Sequence, residues 1–239
     1  MATPEFLISR RKSVVVAADI EAGKLSELVR ATCLVEGIGG YKVGLRLALG
    51  EGLSRIVGTV REYTPLPIIY DHQKAGNDIP AMGTEFAEVC RKAGVDAVIL
   101  FPFSSPVTEE KWIKAAQDAG LTVLVGGHMT HEQFLDSEGG FIAQSAPDRI
   151  YEIAANNGVR DFVVPGNKVE YVERYRGLLE RVLGKGNFTL YAPGFITQKG
   201  EISDFAKAAG DRWHAIVGSA IYKAIDLRAA AEQMTQQIR

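Results

Sequence analysis

The stretch LPIIYDHQKAGNDIP, residues 66–80, contains one whole unit of the fold: a β-rich apolar run closed by Asp71, a polar loop, and a Pro at the start of a helix. Pro suits the first helical turn because its missing N–H has no partner there, and Asp is a favoured cap. One of two readings of Asp78 is therefore structural, as the N-cap with Pro80 near the first helical position. The same unit recurs on both sides. SVVVAAD (13–19) and GYKVGL (40–45) precede it; DAVILF (96–101), LTVLVGG (121–127), DFVVPG (161–166), FTLYAPG (188–194) and WHAIVGS (213–219) follow. Amphipathic stretches lie between the runs. The clearest is 168–183, where Tyr171, Val172, Tyr175, Leu178, Leu179 and Val182 recur at helical spacing against a charged opposite face. Strands that alternate with helices imply a parallel sheet with crossover helices. Eight such units in 239 residues predict a single-domain (β/α)8 TIM barrel, since an open doubly wound sheet carries fewer strands and a Gly-rich first turn. Residues 1–12 read as an N-terminal extension, and 128–145 as the longest irregular stretch.

Composition narrows the function. Lys+Arg 27 against Asp+Glu 29 gives a net charge of −2 with the basic residues scattered, which argues against a nucleic-acid face or a membrane surface. The expected partner is a small molecule. Cys33 and Cys90 stand far apart without metal or disulfide spacing and read as buried packing residues in a reducing compartment. No apolar run approaches a membrane span, and MATPEFLISRRKS places apolar residues before charged ones, the reverse of a signal peptide. The expected location is the cytoplasm.

Barrel active sites form at the C-terminal strand ends, and charge collects there. Asp19 closes the first run, Lys42 lies in the second, and Asp71 closes the third, followed by Lys74 and Asp78. Period-two alternation lets Asp19 share the lumen with Val15 and Ala17, Lys42 with Gly40 and Gly44, and Asp71 with Ile69, while Tyr41, Val43, Ile68 and Tyr70 face the helices. A lumenal ammonium is costly alone, and nearby carboxylates offset that cost. A solvated turn before the helix would equally explain Asp78 taken alone, but Asp19, Lys42, Asp71 and Lys74 at three consecutive strand ends are more charges than turns require. In the second half, APGFITQKGE (192–201) and IVGSAIYKA (216–224) follow the seventh and eighth runs, where barrels bind phosphate through backbone N–H groups; Gly194, Gln198, Gly200 and Gly218 suit that use. His128 and His131 form an i, i+3 pair with no companion acid that completes a metal motif.

These residues resemble the orotidine 5′-phosphate decarboxylase family from Val14 to about Ala231. Asp19 matches its strand-one Asp, Lys42 its strand-two Lys, and Asp71, Lys74 and Asp78-Ile79-Pro80 its DxKxxDI loop. Thr130 in Met129-Thr130-His131 matches a Ser that contacts the pyrimidine. Pro193, Gly194 and Gln198 match the phosphate loop, and Gly218 and Ser219 fall in its VGRxIY motif. The loop after Asp71 is two residues longer than the family's, Ser219 replaces the phosphate-binding Arg, and Met82 replaces a Thr. Arg46 or Lys199 is a candidate for the missing cation. The resemblance implies decarboxylation of orotidine 5′-monophosphate with no metal or other cofactor, Lys42, Asp71, Lys74 and Asp78 in catalysis, and a homodimer in which Asp78 enters the partner's site. Two other readings stand beside it: a magnesium-dependent sugar-phosphate lyase such as 3-keto-L-gulonate 6-phosphate decarboxylase or hexulose-6-phosphate synthase, and a non-catalytic phosphate-ligand-binding barrel.

Overall fold

In a computed structural model, residues 6–72, 75–194 and 199–238 are described, with the backbone alone for 199–203. Eight parallel strands close on themselves in chain order: β1 (Lys12–Ala18), β2 (Ile38–Gly44), β3 (Ile68–Asp71), β4 (Ala97–Leu100), β5 (Thr122–Gly126), β6 (Asp161–Val163), β7 (Thr189–Ala192) and β8 (Trp213–Val217). β8 pairs with β1, so the sheet has no free edge. The connections carry α1 (Leu25–Thr32), α2 (Leu45–Glu51), α3 (Leu53–Arg61), α4 (Met82–Ala93), α5 (Pro106–Asp118), α6 (Ala146–Asn156) and α7 (Val169–Leu183). Then come α8 (Lys199–Ala209), α9 (Ser219–Tyr222) and α10 (Leu227–Gln236). The expected single-domain (β/α)8 barrel is the fold observed.

Strand alternation divides the core in two. Val14, Val16, Tyr41, Val43, Ile68 and Tyr70 face outward into the layer between sheet and helices. Val15, Ala17, Ile69, Ile99, Leu124 and Ile216 fill the lumen, and Ile8 joins them from the N-terminal extension. Each buried Val, Ile or Leu among them stabilises the barrel by roughly 1.5–3 kcal/mol. Polar side chains occupy part of the lumen as well. Ser13 Oγ lies 2.7 Å from His214 Nδ1, and burial pushes the Asp161 carboxyl up to about 6.

Two readings need correction. α4 starts at Met82 with Ala81 as its N-cap, so Asp78 does not cap it and Pro80 precedes the helix. Asp78 is held differently: its carboxylate accepts the Ile79 N–H at 2.7 Å, and its carbonyl accepts the Thr108 hydroxyl of α5 at 3.2 Å. Cys33 is partly exposed at the end of α1, while Cys90 is buried and burial pushes its thiol up to about 12.

Gly126 ends β5 where the ring of Phe101 crosses the lumen. A Cβ there would lie 2.3 Å from Phe101 Cε1 and Cζ, inside any real contact. Gly126→Ala should therefore destabilise the barrel by about 1–3 kcal/mol, the usual cost of overpacking. Urea unfolding checks this as a lower midpoint at an unchanged slope.

Candidate active site

The strand register places three charges at one end of the barrel. Lys42 pairs across the sheet with Ala17 on one side and Ile69 on the other, and Asp71 lies opposite Gly44 one step further toward the C-terminal face. The Lys42 side chain is only 7% exposed, yet its Nζ sits 3.0 Å from Asp19 Oδ1 and 3.2 Å from Asp71 Oδ2. Burial alone would lower its pKa; Asp71 and then Asp19 outweigh that, and the net displacement is upward. The ammonium is thereby fixed in its charged form. Gly44 makes room for this arrangement, since a Cβ there would stand 2.9 Å from Asp19 Oδ1.

Above the three charges opens a cavity of about 430 Å³. Ala17, Ile99, Phe101, Val163 and Ile216 form its apolar floor, and its rim gathers Thr130, Pro193, Gly194, Gly218 and Ser219 from the ends of β5, β7 and β8. Gly194 adopts φ +98°, where a side chain is strained, and a Cβ on it would lie 2.9 Å from Thr130 Cγ2. This glycine thus lets the β7 end close against the β5 loop. An apolar cavity with a few convergent polar groups is the form of a small-ligand site.

Of the expected site residues, Asp19, Lys42, Asp71, Thr130, Pro193, Gly194, Gly218 and Ser219 line this one cavity. Asp78 does not. It lies on an outer groove with Leu49, Tyr70, Met82, Val89 and Trp112, and Ile79 beside it is 61% exposed. Lys74 and Gln198 lie outside the described residues. Arg46 is exposed and engaged with Glu21 at 3.0 Å, away from the cavity wall. His128, which the sequence offered only as half of a metal-like pair, lines the cavity and is 1% exposed. Its ring contacts Tyr175 and Lys168, separated from it by 47 and 40 residues, so no local pattern announces it. Among the described residues no three His, Cys, Asp or Glu side chains converge as metal ligands.

Comparison with known proteins gives concordant results. A family model described as "Orotidine 5'-phosphate decarboxylase / HUMPS family" matches residues 12–234. The orotidine 5′-phosphate decarboxylase of Methanosarcina mazei is 31% identical over 236 residues, covering 97% of each chain. That of Methanosarcina barkeri is 32% identical over 236 residues, covering 97% of this chain and 96% of its own. The crystal structure of the Pyrococcus horikoshii enzyme superposes with a TM-score of 0.77 at 28% identity, over 94% of this chain and 98% of that one. A Methanocaldococcus jannaschii orotidine 5′-monophosphate decarboxylase complexed with the inhibitor BMP gives 0.81 at 21% identity, over 96% and 100%, a likeness of fold.

Removing Lys42 takes from Asp19 and Asp71 the ammonium they share. Lys42→Met should cost about 3 kcal/mol at pH 7, the lower end for a broken buried pair because Asp19 is 44% exposed and solvent screens it. Because the folded pKa of Lys42 is raised, its contribution is complete below the unfolded value of 10.5 and is lost as pH rises through the folded value. The stability gap between wild type and Lys42→Met in urea should therefore hold at pH 7 to 9 and narrow above pH 10.5.

Proposed function

The chain belongs to the orotidine 5′-phosphate decarboxylase / HUMPS family, and from that premise we propose that it is a carboxy-lyase that converts orotidine 5′-monophosphate to uridine 5′-monophosphate in pyrimidine nucleotide synthesis, without a metal. The observation that carries this reading is the Lys42 ammonium between Asp19 and Asp71 at the cavity floor. Breaking the C6–carboxylate bond releases CO2 and leaves an electron pair on C6 that the pyrimidine ring cannot delocalise. A fixed ammonium beside C6 stabilises that charge as it develops and then supplies the proton that completes the product. Lys42 is committed to two carboxylates, and these three groups sum to −1, so a second cation has to face C6. Lys74 is assigned that role, three residues after Asp71. Asp71 sits beside the substrate carboxylate, Lys42 orders the charges, Asp19 takes a ribose hydroxyl, and Thr130 takes the base. Pro193, Gly194, Gln198, Gly218 and Ser219 hold the phosphate, whose remote binding energy can be used at the reacting carbon.

The family model spans sugar-phosphate lyases too, and a magnesium-dependent lyase is the nearest alternative. Against it, the space between Asp19 and Asp71 is taken by Lys42 Nζ, within 3.2 Å of both. The relatives of at least 30% identity described above are named for the nucleotide reaction.

A homodimer with shared sites belongs to the same proposal. Asp78 is too far from its own cavity to line it, and the groove that holds it continues into exposed Leu49, Ile79 and Val89. A second copy covering this groove would bring Asp78 to a neighbouring site.

Turnover of orotidine 5′-monophosphate should persist in EDTA and be abolished by Lys74→Ala while uridine 5′-monophosphate still binds. Metal dependence, or CO2 release only from 3-keto-L-gulonate 6-phosphate with Mg2+, would transfer the chain to the lyases; binding without turnover would make it a ligand-binding barrel. Mixing inactive Lys74→Ala with inactive Asp78→Ala should restore part of the activity, because one site of the heterodimer carries both defects and the other neither. No recovery after verified subunit exchange contradicts shared sites. Ser219→Arg should tighten product binding about tenfold, equivalent to 1.4 kcal/mol, by restoring a charge-assisted partner for the phosphate. An unchanged affinity would mean that another cation already fills that position, with Lys199→Ala as the variant that reveals it.

A further inference from the structure

The wall of the cavity at Met129-Thr130 is held from behind by a chain of contacts that begins at Lys168, the N-cap residue of α7. His128 has both ring nitrogens engaged: Nδ1 is 2.7 Å from Tyr175 Oη and Nε2 is 3.0 Å from Lys168 Nζ. An ammonium has three donors and no acceptor, so Nε2 must offer its lone pair and the ring proton must sit on Nδ1, where Tyr175 Oη accepts it. Lys168 Nζ also lies 3.3 Å from both carboxylate oxygens of Glu138, in the long loop after β5. Glu138 in turn accepts the Phe134 N–H at 3.1 Å, and the Phe134 ring stacks on His128 with centroids 5.2 Å apart. Next to Lys168, Asn167 Nδ2 donates to the Thr130 carbonyl at 3.0 Å. One ammonium thus ties the start of α7 to two points of the loop on either side of Thr130.

We propose that Lys168 is a positioning residue: by bridging His128 Nε2 and Glu138 it fixes the Met129-Thr130 wall and sets the affinity for the base end of the nucleotide. The inference rests on the proposed assignment of Thr130 to the base. The groups that face His128 are Lys168, Glu138, His131, Tyr171 and Tyr175. Burial, then Lys168, pushes the imidazole down to about 4, with Glu138 opposing, so the ring stays a neutral acceptor across the physiological range. Without the lysine, the carboxylate of Glu138 would favour a protonated ring, and the wall would become pH-dependent.

Lys168→Met keeps the side-chain length and removes the donor, and Lys168→Arg restores one. An imidazole 15N–1H correlation spectrum of the free wild-type protein should show His128 as the Nδ1–H tautomer from pH 8 to pH 5. In Lys168→Met the ring should titrate at a higher pH than in the wild type, because the Lys168 charge no longer opposes protonation beside Glu138. KM for orotidine 5′-monophosphate and Kd for uridine 5′-monophosphate should both rise about tenfold in Lys168→Met with kcat within threefold, as expected when binding of the ground state and of the transition state weakens equally. Lys168→Arg should recover most of that affinity. A wild-type ring with its proton on Nε2, or a folded Lys168→Met with unchanged KM and Kd, overturns the proposal. The tautomer is read without substrate and without any variant, so it remains decisive if Lys168→Met does not fold. A wild-type protein that binds but does not turn over the nucleotide would overturn the proposed activity alone, leaving the tautomer and the Kd comparison to judge Lys168.

Discussion

Everything at the C-terminal face depends on one buried cation. An ammonium at 7% exposure is tolerable only where carboxylates compensate for the water it has lost, and Lys42 has two of them, Asp19 just past the end of β1 and Asp71 at the end of β3. That requirement fixes the neighbourhood. Position 44 has no side chain because Asp19 needs the space, Asp71 must end its strand in register with Gly44, and β1, β2 and β3 must stay adjacent for the contacts to exist. Closure of the barrel through β1 and β8 supplies the rigidity. In such a frame charges remain where the chemistry needs them rather than relaxing around the substrate, which is the sense of electrostatic preorganisation.

The rest of the cavity wall is assembled from loops, and loops need their own restraints. Gly194 allows the β7 end to approach Thr130, and Asn167 fastens the Thr130 carbonyl. Behind them, His128, Lys168 and Glu138 form a polar network in which each acceptor has a donor. The two halves of the site thus differ in physical character. The charged end around Lys42 is built on strands, and the end around Thr130 and Gly194 on loops stapled by hydrogen bonds. Under the proposed function this end holds the phosphate, with Ser219 where the family resemblance places an Arg.

The placement of Asp19, Lys42 and Asp71 at one end of the lumen was legible in the sequence because strand alternation is strict. Once Val15 and Ala17 are assigned to the lumen, Asp19 must follow them, and the same parity carries Lys42 with its flanking glycines and Asp71 with Ile69. The stapled end was not legible. His128 meets Lys168 across 40 residues and Lys168 meets Glu138 across 30, separations that leave no periodic trace. Asp78 was misread as a helix cap because an Asp two residues before a Pro serves a cap and a tight turn equally well. What distinguishes them is the Thr108 hydroxyl on the Asp78 carbonyl, which comes from α5. The Arg substitution at Ser219 is visible in the sequence, but Arg46 as its substitute is not supported by the structure, because Glu21 already holds it.

The central claim is that a carbanion forms at C6 within this charge array and is quenched there by a proton from an exchangeable ammonium. Turnover of orotidine 5′-monophosphate in D2O, followed by proton NMR of the product, tests it most directly. The account predicts uridine 5′-monophosphate that carries deuterium at C6, seen as a C5 proton signal that appears with CO2 release while no C6 proton signal appears. A product that forms with full protium at C6, or no CO2 release from this nucleotide at all, would contradict it.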